Sequence, residues 1–209
     1  MMKNSEWGAV AYFAQSSYGK NEEVWINPNS NYLTGHAGGK SSADYTTYTK
    51  DYTSINGQAS STTGNVYGIY DMSGCGIEYI ASYVDNGHLC ITNTTFGGII
   101  GESTTFAYLK QVYGSKGSEG KSDKVTDYAK NAGIYGDAVY ESSGKTSPIG
   151  SSIYDSWYDD SSNFPYSDSP FFGRGGLYND TSRSGLFAFG YDYGRSHMCF
   201  GFRQVSPSL

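Results

Sequence analysis

Aliphatic residues are too scarce in this chain to build an ordinary hydrophobic core. Leu, Ile, Val and Phe together number 35 of 209 residues. A fraction below about 20% accompanies disorder when the net charge is also high. Here the formal net charge is only −6, and aromatic residues reach 16%. Each ring buries a large surface, so rings can replace the missing aliphatics. The remaining bulk is unusual too: 28 Gly, 21 Tyr and 30 Ser. The expectation is an irregular, glycine-rich scaffold around an aromatic core. The length fits one domain, residues 1–209.

Several function classes drop out on composition. No stretch approaches the ~20 apolar residues of a transmembrane helix. The opening residues lack the basic-then-apolar plan of a signal peptide. With 14 Lys+Arg against 20 Asp+Glu, there is no electrostatic footprint for nucleic acid. Tyr, Ser, Gly and Asn dominate evolved binding loops, so the composition suits an adaptable contact surface, or else tyrosines that simply fill a small core.

Metal and cysteine chemistry find little support. Cys75, Cys90 and Cys199 show no C-x-x-C spacing. His88 lies two residues from Cys90, but His36 and His197 are remote in sequence. Free, partly buried thiols are expected, with no metal and no cofactor. Asp159, Asp160 and Asp168 form one acidic loop, but without a recognisable calcium-ligand spacing.

Local signals place the elements. Asn4 or Ser5 can cap a helix with Glu6 in its first turn. Trp7, Val10, Ala11 and Ala14 give it one apolar face, and Gly19 can stop it. Segments 66–70 and 77–83 have strand composition around a Gly-rich turn. Residues 104–113 suit a strand or short helix, and a strand is expected near 137–140. Segments 44–55 and 96–101 stay ambiguous, and 114–125 suits a loop. In 186–190, Phe187 and Phe189 alternate with Ala188 and Gly190, which puts the two pairs on opposite faces of a strand. Many short strands, two or three helices and long ordered loops imply an α+β fold.

Three blocks carry a family resemblance: GNVYGIYDMSGCGIEY (64–79), GRGG (173–176) and GFR (201–203). They resemble the formylglycine-generating-enzyme type of C-type lectin fold. The matching positions are Gly64, Asn65, Asp71, Met72, Gly74, Glu78, Arg174, Gly175, Gly176, Tyr178, Gly201, Phe202 and Arg203. Ile77 stands where the family has Trp, and Leu177 where it has Ser. The resemblance implies a C-type lectin-like fold with short twisted antiparallel strands. Arg174, Glu78 and Arg203 would be paired structural charges, since buried charge needs a partner. Members of the family begin with a strand before the first helix that pairs near the C-terminal strand. This chain opens at the helix, so the first strand would come from elsewhere in the chain, from an upstream segment or from a partner.

The resemblance also bears on function. The namesake oxidises a substrate cysteine with a copper-binding cysteine pair, which would fall within 179–195. No cysteine occurs there, and Cys199 is the only thiol nearby. Cu(I) favours two soft thiolates, so the expectation is that the chain is not an enzyme. The C-terminus is more similar to variable proteins of diversity-generating retroelements, whose last strands display a hypervariable binding surface on a constant frame. That resemblance makes 173–203 the candidate variable region. The frame would be Gly175, Gly176, Gly185, Phe187, Phe189, Gly194, Gly201, Phe202 and Arg203. The display set would be Leu177, Asn179, Asp180, Arg183, Ala188, Gly190, Tyr191, Asp192, Tyr193, Arg195, Ser196 and His197. The implied role is non-catalytic recognition of a protein or glycan on a host or target cell, by a phage particle or bacterial surface protein. The alternative is a non-diversified structural or adhesion module from the same settings. An oxidase of the formylglycine-generating type is the third reading.

Overall fold

The computed structural model describes residues 1–38, 51–85, 89–92, 110–114, 134–142, 156–165 and 168–206. Helix α1 spans Asn4–Gln15. Its cap is Lys3 rather than Asn4 or Ser5. The Glu6 carboxylate reaches back to accept the Lys3 N–H at 2.8 Å, satisfying one orphan donor of the first turn. Asn4 is buried, so it belongs to the packed face. The helix stops at Gln15, before Gly19, with Ser16 extended. Trp7, Ala11 and Ala14 lie on the buried face, and the Trp7 indole N–H donates to the Leu186 carbonyl at 2.7 Å. A second, four-residue helix, α2, spans Leu89–Thr92. Single turns of 3-10 helix occur at Gly57–Ser60, Trp157–Asp159 and Thr181–Arg183.

Five strands form one mixed sheet: β1 (Ile77–Asp85), β2 (Gln111–Gly114), β3 (Phe171–Gly175), β4 (Gly185–Asp192) and β5 (Phe200–Phe202). The order is β2-β1-β3-β4, with β5 also paired to β1. β3 runs antiparallel to β1 and β4, whereas β2 and β5 run parallel to β1. The expected antiparallel sheet is therefore mixed, and the α+β class stands. β2 and β5 share one edge of β1, and the backbone of Met2 sits between them. Its carbonyl accepts from Ala81 N–H at 2.7 Å and its N–H donates to Arg203 O at 3.0 Å. The far edge of β4 is covered too: Phe189 N–H donates to Ser161 O, and Asn163 N–H to Phe189 O.

Strand β1 follows its sequence. Glu78, Ile80, Ser82 and Val84 turn inward, and Ile77, Tyr79 and Ala81 are less buried. The expected strand at 66–70 does not form. There the chain bends, with Tyr67 N–H on the Asn65 side chain and Ile69 N–H on Thr62 Oγ1. Short polar side chains satisfy the backbone locally and compete with strand pairing. No strand forms at 137–140 either. Of 104–113, the described part joins β2; segments 96–101 and 115–125 and His88 lie outside the described residues.

The core is aromatic. Tyr113, Phe164 and Phe172 contact one another with ring centroids 4.7–5.8 Å apart. Trp7, Met72, Phe187 and Phe189 join the same cluster. Arg174 lies at its centre, fully buried. It does not meet the expected ion-pair partner among the described residues. Its guanidinium donates to the carbonyls of Ala138 and Leu186 and lies 5.5 Å from the centroids of Trp7 and Phe189. Burial lowers its pKa to about 10, with Asp137 opposing the shift. Glu78 and Arg203 do pair, through Nε at 2.9 Å and a second contact from NH2.

Candidate functional site

The three blocks that carry the resemblance meet in space. Gly74 N–H donates to Gly175 O at 2.9 Å, Glu78 pairs with Arg174 in the sheet register, and Arg203 closes on the Glu78 carboxylate. Gly175 and Gly176 have φ of 86° and 76°, the left-handed backbone that favours glycine. This joint holds the roots of β3, β4 and β5.

From it, β4 carries four of the candidate display residues, Ala188, Gly190, Tyr191 and Asp192. Phe187 and Phe189 enter the core, and Ala188 and Gly190 face the other way, as the alternation implies. Tyr79, Gly173 and Gly190 lie in one cross-strand row. The two glycines leave a depression of about 100 Å³, walled by Ile77, Tyr191 and Phe200, with Asp180 at its margin. A Cβ at Gly190 would meet nothing within 4 Å. Tyr79 stacks on Phe200 with centroids 4.6 Å apart.

The loop after β4 is pinned. Asp192 Oδ1 accepts from the Tyr79 hydroxyl at 2.6 Å, from Gly194 N–H at 3.0 Å and from Arg195 N–H at 3.4 Å. This corrects the display role assigned to Asp192. It is buried, and its Oδ1 holds the loop to Tyr79 of β1. Tyr191 and Tyr193, 37% and 43% exposed, stand on either side of it. The Arg195 guanidinium lies 4.9 Å from the Tyr193 ring centroid. Ser196 and His197 are exposed, and His197 Nδ1 accepts from Cys199 N–H at 3.2 Å.

The other display candidates fall into two places. Asp180, Ala188, Gly190 and Tyr191 share the depression, although Ala188 is a buried floor residue. Leu177, Asn179 and Arg183 belong to the β3–β4 turn. There Asp180 Oδ2 accepts from Leu177 N–H at 2.8 Å, and Asn179 and Arg183 are exposed. Phe202, expected in the frame, is 67% exposed. Sequence reading missed Ile77, Gly173 and Phe200 as lining residues.

A larger cavity of about 700 Å³ lies along β5, bounded by Tyr32, Tyr70, Asp71, Cys75, Glu78 and Cys199. It brings together two thiols that the sequence keeps far apart. All three cysteines are free. Burial, reinforced by the Asp71 charge, pushes the Cys75 thiol up to about 12. The Tyr32 hydroxyl bonds to the Cys199 side chain, which with burial pushes it up to about 12. Among the described residues no group of three or more His, Cys, Asp and Glu is placed to hold a metal. The acidic loop residue Asp160 is buried, accepting Phe187 N–H at 2.9 Å. No described helix is long and apolar enough to cross a membrane.

No protein-family model, curated protein or solved structure matches this chain.

Proposed function

We propose that the protein is a non-catalytic binding module of the C-type lectin type. Its C-terminal segment presents a contact surface for a protein or glycan on a host or target cell, from a phage particle or bacterial surface. The observation that carries this reading is the division of labour in β4 and the following loop. Core and staple functions fall to Phe187, Phe189 and Asp192; Tyr191 walls the glycine-floored depression, and Tyr193 and Arg195 are exposed in the loop beyond it, the guanidinium over the ring. Rigid rings supply contact area at low entropy cost, and the stacked guanidinium supplies directional donors. The lectin assignment is supported by the meeting of the three sequence blocks. It is also supported by Met2, which occupies the gap beside Arg203 where the family places its first strand.

The test uses labelled protein on a glycan array and on bacterial cells. The triple substitution Tyr191→Ala, Tyr193→Ala and Arg195→Ala is expected to abolish binding and to lower Tm by less than about 4 °C, the scale of 1 kcal/mol. Unfolding of this variant instead would place the three residues in the core. Diversification has its own check: a neighbouring reverse-transcriptase gene and a near-copy of the 3′ coding end with adenine-directed differences. Their absence would favour the non-diversified adhesion module.

The shared cavity of Cys75 and Cys199 gives the oxidase reading a specific observation. The donor pair fits Cu(I) poorly, because the buried Cys75 thiol holds its proton firmly beside Asp71. Copper loading followed by a cysteine-peptide oxidation assay decides it: Cys199-dependent turnover would replace the binding-module reading.

A further inference from the structure

The cavity along β5 has a composition of its own and shares only Phe200 with the depression on β4. Tyr32, Tyr70, Phe200 and Phe202 give it aromatic sides. Its volume of about 700 Å³ falls in the range of small-molecule sites. Three charged groups border it: Asp71, Glu78 and Arg203. Two of them cancel. Arg203 is committed to Glu78 by two contacts, and its NH2 also donates to Tyr70 O at 3.2 Å. The charge left over is the Asp71 carboxylate. Its Oδ1 accepts from Asn27 Nδ2 at 2.7 Å and from Gly35 N–H at 3.0 Å. Oδ2 receives, among the described residues, one long contact of 3.3 Å from the same Gly35 N–H. One carboxylate oxygen therefore keeps acceptor capacity at an aromatic-sided opening.

We infer that this cavity is a binding site for a small organic ammonium ion. Ring faces attract cations through their quadrupole, and a carboxylate at the opening adds a charge that a neutral or anionic ligand cannot use. The exposed Phe202 and Met198, at 67% and 85%, form the apolar rim that would cover the ligand's carbon body. The inference does not rest on the display reading, because none of Tyr191, Tyr193 and Arg195 borders the cavity.

The probe is benzyltrimethylammonium, with benzyl alcohol and benzoate as the neutral and anionic controls. Binding is followed by NMR titration of the full chain. The expected result is saturable shifts below about 10 mM for the cation alone. Asp71→Asn is expected to weaken binding about ten-fold or more. Asn suits the left-handed backbone at this position, where φ is 62°. Phe202→Ala, on an exposed side chain, provides a second variant and is expected to weaken binding with Tm unchanged. The triple variant of the display surface is expected to bind the cation normally, so failure of either site leaves the other readable. No saturation, equal binding of benzyl alcohol, or unaltered affinity in both Asp71→Asn and Phe202→Ala would overturn the inference.

Discussion

Asp160 shows how a single buried group sets a measurable property. Burial raises its pKa well above the usual carboxylate value, against the opposing donor at Phe187. Burial also raises Asp137 and Glu78. A raised carboxylate makes the folded chain hold more protons than the unfolded chain between the two pKa values. The contribution of these groups to stability therefore grows as pH falls from neutrality toward about 4, and is lost as pH rises through the folded values. Thermal unfolding is expected to show a higher Tm at pH 5 than at pH 8. Asp160→Asn is expected to flatten that slope, and an unaltered slope would show that Asp160 does not carry the effect. At this scale the sequence was legible where a residue acts alone. Tyr191 and Tyr193, placed in the candidate display set by the resemblance, are both exposed. Asp192 was misread because its partner, Tyr79, lies in another strand. Arg174 was read as paired, but carbonyls and rings replaced the expected carboxylate.

Strand β4 separates two glycines that look alike in sequence. A Cβ at Gly185 would lie 2.0–2.3 Å from the Asp160 carboxyl group, whereas one at Gly190 would enter open space. Gly185→Ala is expected to destabilise by about 1–3 kcal/mol through overpacking. Gly190→Ala is expected to leave Tm nearly unchanged and to alter ligand binding by filling the depression. Paired denaturant melts and glycan-array binding check both outcomes. Helix α1 makes the complementary case. Trp7→Ala is expected to cost about 3–5 kcal/mol, since a large buried ring and its bond to Leu186 are lost together. Its position was legible from the spacing of Trp7, Val10, Ala11 and Ala14, and β1 from its strand composition after a Gly-rich turn. The strand expected at 66–70 had the right composition but pairs with no strand among the described residues. Its N–H groups were claimed by Asn65 and Thr62, a competition that strand propensity does not register.

At the scale of the molecule, the mixed sheet depends on contacts that cross nearly the whole sequence. Glu78 with Arg203, and Met2 with Ala81 and Arg203, join the two ends of the chain to its central strand. Deleting residues 1–3 is expected to lower stability by about 1–3 kcal/mol, as backbone bonds and the start of α1 are lost. An unchanged urea midpoint would show that this junction contributes nothing. The parallel placement of β5 was not legible, because nothing local in CFGFRQV specifies its direction relative to β1. Covering the outer side of β4 with residues 161–163 has a further consequence. The segment GLFAFGYD is strongly aromatic and would be an amyloid hazard as a bare edge. With Phe189 bonded on that side to Ser161 and Asn163, a second copy has no template there. Copies packed side by side would then not cross-link through this strand.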